Sequence, residues 1–233
     1  MSVPWRRAFA GLFLFGISFG FVEAAVVVYL RHLYEPIRRQ IHPGIATTAV
    51  FPITRPQQVI EVAPWTRPLI RTEVMREAAT LIMVLSAGLC ASAGASRSVW
   101  LPGAMIAMGV WDISFYVSLR LLIGWPESLL TWDLLFLIPA PWAAPVIAPI
   151  LVSLSLIIPG MIAYRRPVRL RAIHSLGAIL GCLVILVSFM WDVKNVQAGG
   201  FPGPFPWAIF AAGELIGVAS FVHALRTTDE HAR

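Results

Sequence analysis

The chain has 233 residues, of which 58% are hydrophobic and only 13% are charged, and its mean hydropathy is +0.77. A soluble domain averages roughly 45–50% apolar and about 25% charged residues, so this composition excludes a soluble globular protein. The formal net charge of +6 comes almost wholly from arginine, because Lys194 is the only lysine. In a membrane protein such an excess serves topology and contact with anionic headgroups, so we do not expect nucleic acid as a partner.

Apolar runs predict six membrane-spanning helices, and therefore an all-α polytopic transmembrane bundle that forms one domain over 1–233 in the lipid bilayer. A span needs roughly 20 residues. The runs that reach this length are 8–30, 73–93, 99–121, 143–164, 172–192 and 207–226. The first run follows Arg6 and Arg7 as a signal peptide would, but its length favours a retained helix.

Two connections between the spans are unusual. The stretch 31–72 contains several prolines, which predict a long non-cytoplasmic loop with a short strand near 59–62. Residues 128–138 are apolar but precede a run of prolines, and we expect an interfacial or re-entrant helix there.

The arginines also predict the orientation of the chain. Six spans place both termini on one side of the membrane. The basic residues of the short connections favour that side as the cytoplasmic one, and Arg6 and Arg7 before the first helix agree. The first loop then lies on the opposite, non-cytoplasmic side.

The acidic residues of the spans lie toward the side that carries the first loop. At 1.5 Å per residue, their distances from that end of their helices range from about 6 to about 14 Å, for Glu77, Glu23, Glu214 and Asp112. Asp133 lies in the interrupted segment on the same side. Because successive helices alternate in direction, random placement would scatter these residues over both halves of the membrane. Their common depth predicts one polar chamber near the non-cytoplasmic surface.

Two further side chains lie at the depth of this predicted chamber. Arg76 precedes Glu77 and supplies an internal cation, and Tyr116 follows Asp112 by one helical turn on the same face. An ionisable group in hydrocarbon costs about 2.5–3.5 kcal/mol on insertion scales, which favours a functional role. The alternative is an ion-pair network that only fixes the packing of the helices.

Metal and haem sites are further candidates. Oxygen ligands from Glu23, Glu77 and Asp112 would suit a divalent cation such as Mg²⁺, Ca²⁺ or Mn²⁺ better than zinc, since no helix carries two histidines one turn apart. His174 and His223 lie at similar depth near the opposite face, where they permit a bis-histidine haem. Their neighbouring arginine clusters favour ordinary interfacial histidines instead.

Several stretches within roughly the first 150 residues resemble a family of uncharacterised bacterial six-span integral membrane proteins. They are FGFVEAAVVVYL (19–30), VMREAAT (74–80), WDISFY (111–116), GWPESLLTWD (124–133) and PAPW (139–142). The resemblance implies a multi-pass protein of the bacterial cytoplasmic (inner) membrane, and it implies no activity.

Three functions are compatible with these patterns. The first is transport, in which the chamber handles a cation or protons from the periplasmic side. The second is an intramembrane enzyme that acts on a lipid-linked or apolar substrate, with a carboxylate as general base. The third is a structural or assembly subunit that binds other membrane subunits.

Overall fold

A computed structural model describes residues 5–46, 48–93, 95, 99–136 and 140–230. Among these residues six helices are long and apolar enough to cross a membrane, which confirms the predicted all-α polytopic bundle. In chain order the elements are α1 (Trp5–Ile41), α2 (Pro56–Val62), a 3-10 turn (Pro64–Thr66), α3 (Arg67–Ala91), α4 (Trp100–Ile123), β1 (Trp132–Phe136), β2 (Trp142–Pro145), α5 (Ile147–Arg165), α6 (Ala172–Phe189), α7 (Val193–Gln197) and α8 (Trp207–Glu230).

The stretch 31–72 is far more helical than its prolines predicted. Helix α1 continues through Pro36 to Ile41, and the strand expected near 59–62 is wrong because those residues belong to α2. Pro56 and Pro68 occupy the first turns of α2 and α3. A proline is tolerated there because the N–H that it lacks has no partner within the helix in any case. The prolines therefore begin helices instead of excluding them.

The helix predicted for 128–138 is also wrong, because this segment contains strand β1. It pairs antiparallel with β2, with Asp133 opposite Ala144 and Leu134 opposite Ala143. Phe136, the last residue of β1, packs against the core that contains Phe19. A short helix among the spans would leave unpaired N–H and C=O groups at both ends. The two strands instead satisfy each other's backbone groups.

Small residues bring the spans close together, as the Gly-xxx-Gly spacings in α1, α6 and α8 suggest. A Cβ on Gly20 of α1 would lie 2.7 Å from the carbonyl oxygen of Trp111 in α4. A Cβ on Gly181 of α6 would lie 2.8 Å from the carbonyl oxygen of Gly213 in α8. These contacts build α1, α3, α4 and α5 into one group and pair α6 with α8.

Three connections pack together at one end of the bundle, and we call their described residues the cap: 42–46, 48–66, 124–136, 140–146 and 190–206. Phe51 from the first connection, Ala143 from the second and Val196 from the third share one buried cluster. Trp132 also contacts Phe205, with ring centroids 5.9 Å apart. The cap thus covers the C-terminal ends of α1, α4 and α6 and the N-terminal ends of α3, α5 and α8.

Candidate functional site

A cavity of about 470 Å³ lies beneath the cap, among α1, α3, α4, α5 and the hairpin. Its size is within the range of small-molecule sites, roughly 300–1,000 Å³. The side chains that line it include all but one of the residues that the sequence predicted for the chamber: Glu23, Arg76, Glu77, Asp112, Tyr116 and Asp133. Residues from three spans and the hairpin therefore meet around one space.

Glu23 is held in an ion pair between α1 and α3. The Arg76 guanidinium donates through Nη1 to Glu23 Oε2 and through Nε to Glu73 Oε2, the latter at 2.7 Å. Thr80 Oγ1 donates to Glu23 Oε1 at 2.7 Å. Both carboxylate oxygens of the buried Glu23 thus have donors, and Arg76 supplies the neutralising charge.

Asp112 and Asp133 have a different environment. Ser153 Oγ of α5 donates to Asp112 Oδ2 at 2.7 Å, and Tyr116 Oη of α4 donates to Asp133 Oδ2 at 2.9 Å. Neither aspartate forms an ion pair within the described part of the chain. Burial raises the pKa of Asp133 in β1, although the Tyr116 hydroxyl and the charge of Arg31 oppose this shift. Asp133 therefore binds a proton more readily in this pocket than an aspartate does in water.

One predicted carboxylate and one predicted histidine pair lie away from the cavity. Glu214 of α8 is outside its lining and accepts a hydrogen bond from Ser155 Oγ of α5 at 2.5 Å. His174 and His223 contact each other directly, with Nε2 and Nδ1 3.2 Å apart, and join α6 to α8. Glu214 therefore marks a contact between α8 and α5, and the histidines mark a contact between α6 and α8.

The same cavity is lined by two arginines that the sequence did not predict as site residues. Arg31 and Arg38 line it together with Tyr34, and all three lie on the part of α1 that was predicted to be a loop. Arg31 lies over the ring of Trp125, with 4.4 Å between the guanidinium carbon and the ring centroid. Their spacing, i, i+3 and i+7, would have placed them on one face had the helix been extended through Pro36.

A metal centre has no ready ligand set in this arrangement. Within the described ranges, no group of three or more His, Cys, Asp or Glu side chains is placed to hold a metal ion. Of the three proposed oxygen ligands, Glu23 is already engaged by Arg76 and Thr80.

The fold and the cavity define a multi-pass membrane protein with a buried Glu23–Arg76 pair. Comparison of the chain with protein-family models, with curated proteins and with solved structures finds no match. The resemblance to bacterial six-span proteins therefore stays a prediction, and function has to be argued from the geometry of the cavity.

Proposed function

We propose that this protein handles protons or a small cation in the cavity beneath the cap, as a transport protein of the bacterial inner membrane. The observation that carries the proposal is the pair Asp112 and Asp133. Both line the cavity, and both have hydroxyl partners in place of ion-pair partners among the described residues. A carboxylate in such surroundings gains stability from a bound proton or cation.

Tyr116 connects the surroundings of the two aspartates. It lies one helical turn after Asp112 and donates to Asp133. Two carboxyl groups that line one cavity of low polarity are more stable when one of them holds a proton. A cation that enters the cavity would displace that proton, which is the elementary step of exchange.

Access is proposed from the side of the cap. The cap is the side on which the first connection lies, and arginine distribution predicts that this side is periplasmic. Glu23 and Arg76 then form the inner wall that holds α1 to α3 while the aspartates exchange their proton.

The test is proton uptake into proteoliposomes that contain a pH-sensitive dye, driven by a membrane potential or by an outward Na⁺ or K⁺ gradient. Asp112→Asn and Asp133→Asn should each lower the uptake rate at least about tenfold, because an amide carries no titratable proton. Asp229→Asn is the matched control, since Asp229 is exposed and its ion pair with Arg166 lies at the other end of the bundle. Wild-type uptake by correctly folded Asp112→Asn and Asp133→Asn proteins would refute the proposal.

A second candidate is an intramembrane enzyme for a lipid-linked or apolar substrate. The observation that favours it is the apolar part of the cavity lining, to which the hairpin contributes Leu134, Leu135 and Phe136. Asp112 or Asp133 would then serve as the general base. Mass spectrometry of lipid that copurifies with the protein tests this alternative, and loss of that lipid on introducing Leu134→Asp would support it.

A further inference from the structure

One face of α1 presents a cluster of hydrogen-bond donors to the cavity near the cap. Arg31, Tyr34 and Arg38 follow each other at intervals of three and four residues, which places them on the same side of the helix. All three line the cavity. The cluster consists of other residues than Asp112 and Asp133, on which the proposed function rests, although all of them line the same cavity.

Two donors of this cluster are unsatisfied within the described residues. Arg38 Nη1 donates to the carbonyl oxygen of Ala46 at 3.1 Å, but Arg38 Nη2 and Tyr34 Oη are buried without a hydrogen-bond partner. A buried donor without a partner has lost its hydrogen bonds to water without replacement, which is unfavourable. An acceptor supplied by a ligand would remove that cost.

The two arginines of the cluster also lack a salt bridge among the described residues. No ion pair involves Arg31 or Arg38 in the described part of the chain. Glu35, which shares this end of the cavity, is already paired with Arg39 at 2.8 Å. Asp133 attracts Arg31 through its charge without a hydrogen bond, and Arg38 repels it. Two positive charges thus face a common space.

We propose that Arg31, Tyr34 and Arg38 bind the phosphate group of a phosphate or phosphate ester. Two guanidinium groups and a hydroxyl match the several acceptor oxygens of one phosphate, and arginine is well suited to such multidentate contacts. Inorganic phosphate and a phospholipid headgroup share this chemistry. The apolar lining beyond the cluster, which includes Leu30 and Phe115, offers room for the chain of a lipid.

The experiment measures binding to the purified full-length protein by calorimetry in a neutral detergent. The probes are sodium phosphate, dioctanoyl phosphatidic acid and the uncharged dioctanoylglycerol, all at matched ionic strength. Arg31→Gln, Arg38→Gln and Tyr34→Phe should each weaken binding of a phosphate-bearing probe about tenfold, the usual effect of losing one charged hydrogen bond. Tyr34→Phe retains the ring and tests the site even if an arginine variant fails to fold.

A matched variant separates this site from its surroundings. Arg71→Gln should bind as the wild type does, because Arg71 is exposed, lies outside the cavity lining and forms no ion pair within the described part of the chain. Calorimetry of these probes measures binding without proton or cation flux, so a failure of the proposed function in proteoliposomes leaves this inference standing.

The three probes also identify the source of the phosphate group. Binding of phosphate alone, of phosphatidic acid alone or of both supports the site, and it assigns the ligand as the free anion, the lipid or the shared group. The inference would be overturned if neither phosphate nor phosphatidic acid binds, or if dioctanoylglycerol binds as well as phosphatidic acid does. It would also be overturned if binding is unchanged in all three cluster variants.

Discussion

Glu23 and Asp112 show how the partners of a buried carboxylate decide its role. Glu23 has an arginine and a threonine as donors, so its charge is compensated inside the protein. Among the described residues, Asp112 has only the Ser153 hydroxyl as a side-chain partner. The predicted acidic layer therefore divides into two parts. An ion pair joins α1 and α3, while Asp112 and Asp133 have hydroxyl partners, and the proposed exchange of a proton or a cation rests on these two aspartates.

Removal of Arg76 is expected to be costly. Arg76→Met leaves the Glu23 carboxylate buried without its cation, and the loss of one partner from a buried pair typically costs about 3–5 kcal/mol. Chemical unfolding in detergent, followed by tryptophan fluorescence, measures the difference from the wild type.

A matched ion pair on α1 provides the control for Arg76. Arg39→Met breaks the exposed pair with Glu35, in which the Arg39 side chain is 66% accessible, and should cost less than about 1 kcal/mol. The double variant Glu23→Gln, Arg76→Met should recover part of the lost stability, because the unpaired charge is gone. Equal effects of Arg76→Met and Arg39→Met would show that the buried pair is unimportant.

At the scale of elements, the close approach of α1 and α4 shapes one wall of the cavity. The Cα of Gly20 faces the α4 backbone, and a methyl group there would meet Phe115 N at 2.8 Å in addition to Trp111 O. The helices can approach so closely only because glycine has no side chain. This contact keeps Glu23, three residues further along α1, beside the cavity.

Gly20→Ala should destabilise the protein by about 1–3 kcal/mol, since an extra methyl group in a packed contact forces the helices apart. Gly11→Ala is the control on the same helix, because a Cβ at Gly11 meets no atom within 4 Å. There the better helix propensity of alanine should make the change neutral or stabilising by up to about 1 kcal/mol. Melting temperatures in detergent compare the two variants, and an equal response would contradict the role of the contact.

The hairpin shows a limit of prediction at this scale. Residues 132–136 are mostly apolar and too few for periodicity to distinguish helix from strand. Their partner in the sheet, 142–145, follows a stretch of sequence that contains Pro139 and Pro141. Pairing with that partner decides the conformation, and local sequence carries little signal for it.

At the scale of the whole molecule, the cap joins three distant parts of the chain on one side of the bundle. Phe51, Ala143 and Val196 are buried together, so their connections must share one side of the membrane. This packing constrains the topology more directly than the arginine count does. The numbers of basic residues on the two sides of the membrane are nearly equal once the long first connection is included.

Impermeant maleimide labelling of intact cells tests this arrangement after Cys90 and Cys182 are replaced by alanine. Gln57→Cys and Lys194→Cys, both exposed in the cap, should react from outside the cell. Arg169→Cys, exposed in the link between α5 and α6, should react only after permeabilisation. Labelling of Gln57→Cys and Lys194→Cys from opposite sides would contradict the shared cap, and inverted labelling of all three would reverse the orientation.

Composition and hydropathy were sufficient to predict the membrane class, the six spans and the common depth of the acidic residues. These properties depend on whether lipid or water surrounds each residue, and a bilayer therefore constrains the local sequence directly. The hydrogen-bond partners of each carboxylate could not be predicted from local sequence. They are Thr80 and Arg76 for Glu23, Ser153 for Asp112, and Tyr116 for Asp133.

The tertiary structure also decided which residues share the cavity. It brought the hairpin and the extended α1, with Arg31 and Arg38, to the carboxylates, and it placed Glu214 against Ser155 on the far side of α5. Depth along a helix follows from counting residues. The direction in which each helix faces depends on contacts between segments far apart in the chain, such as Gly20 against Trp111, and these exist only after the helices have packed.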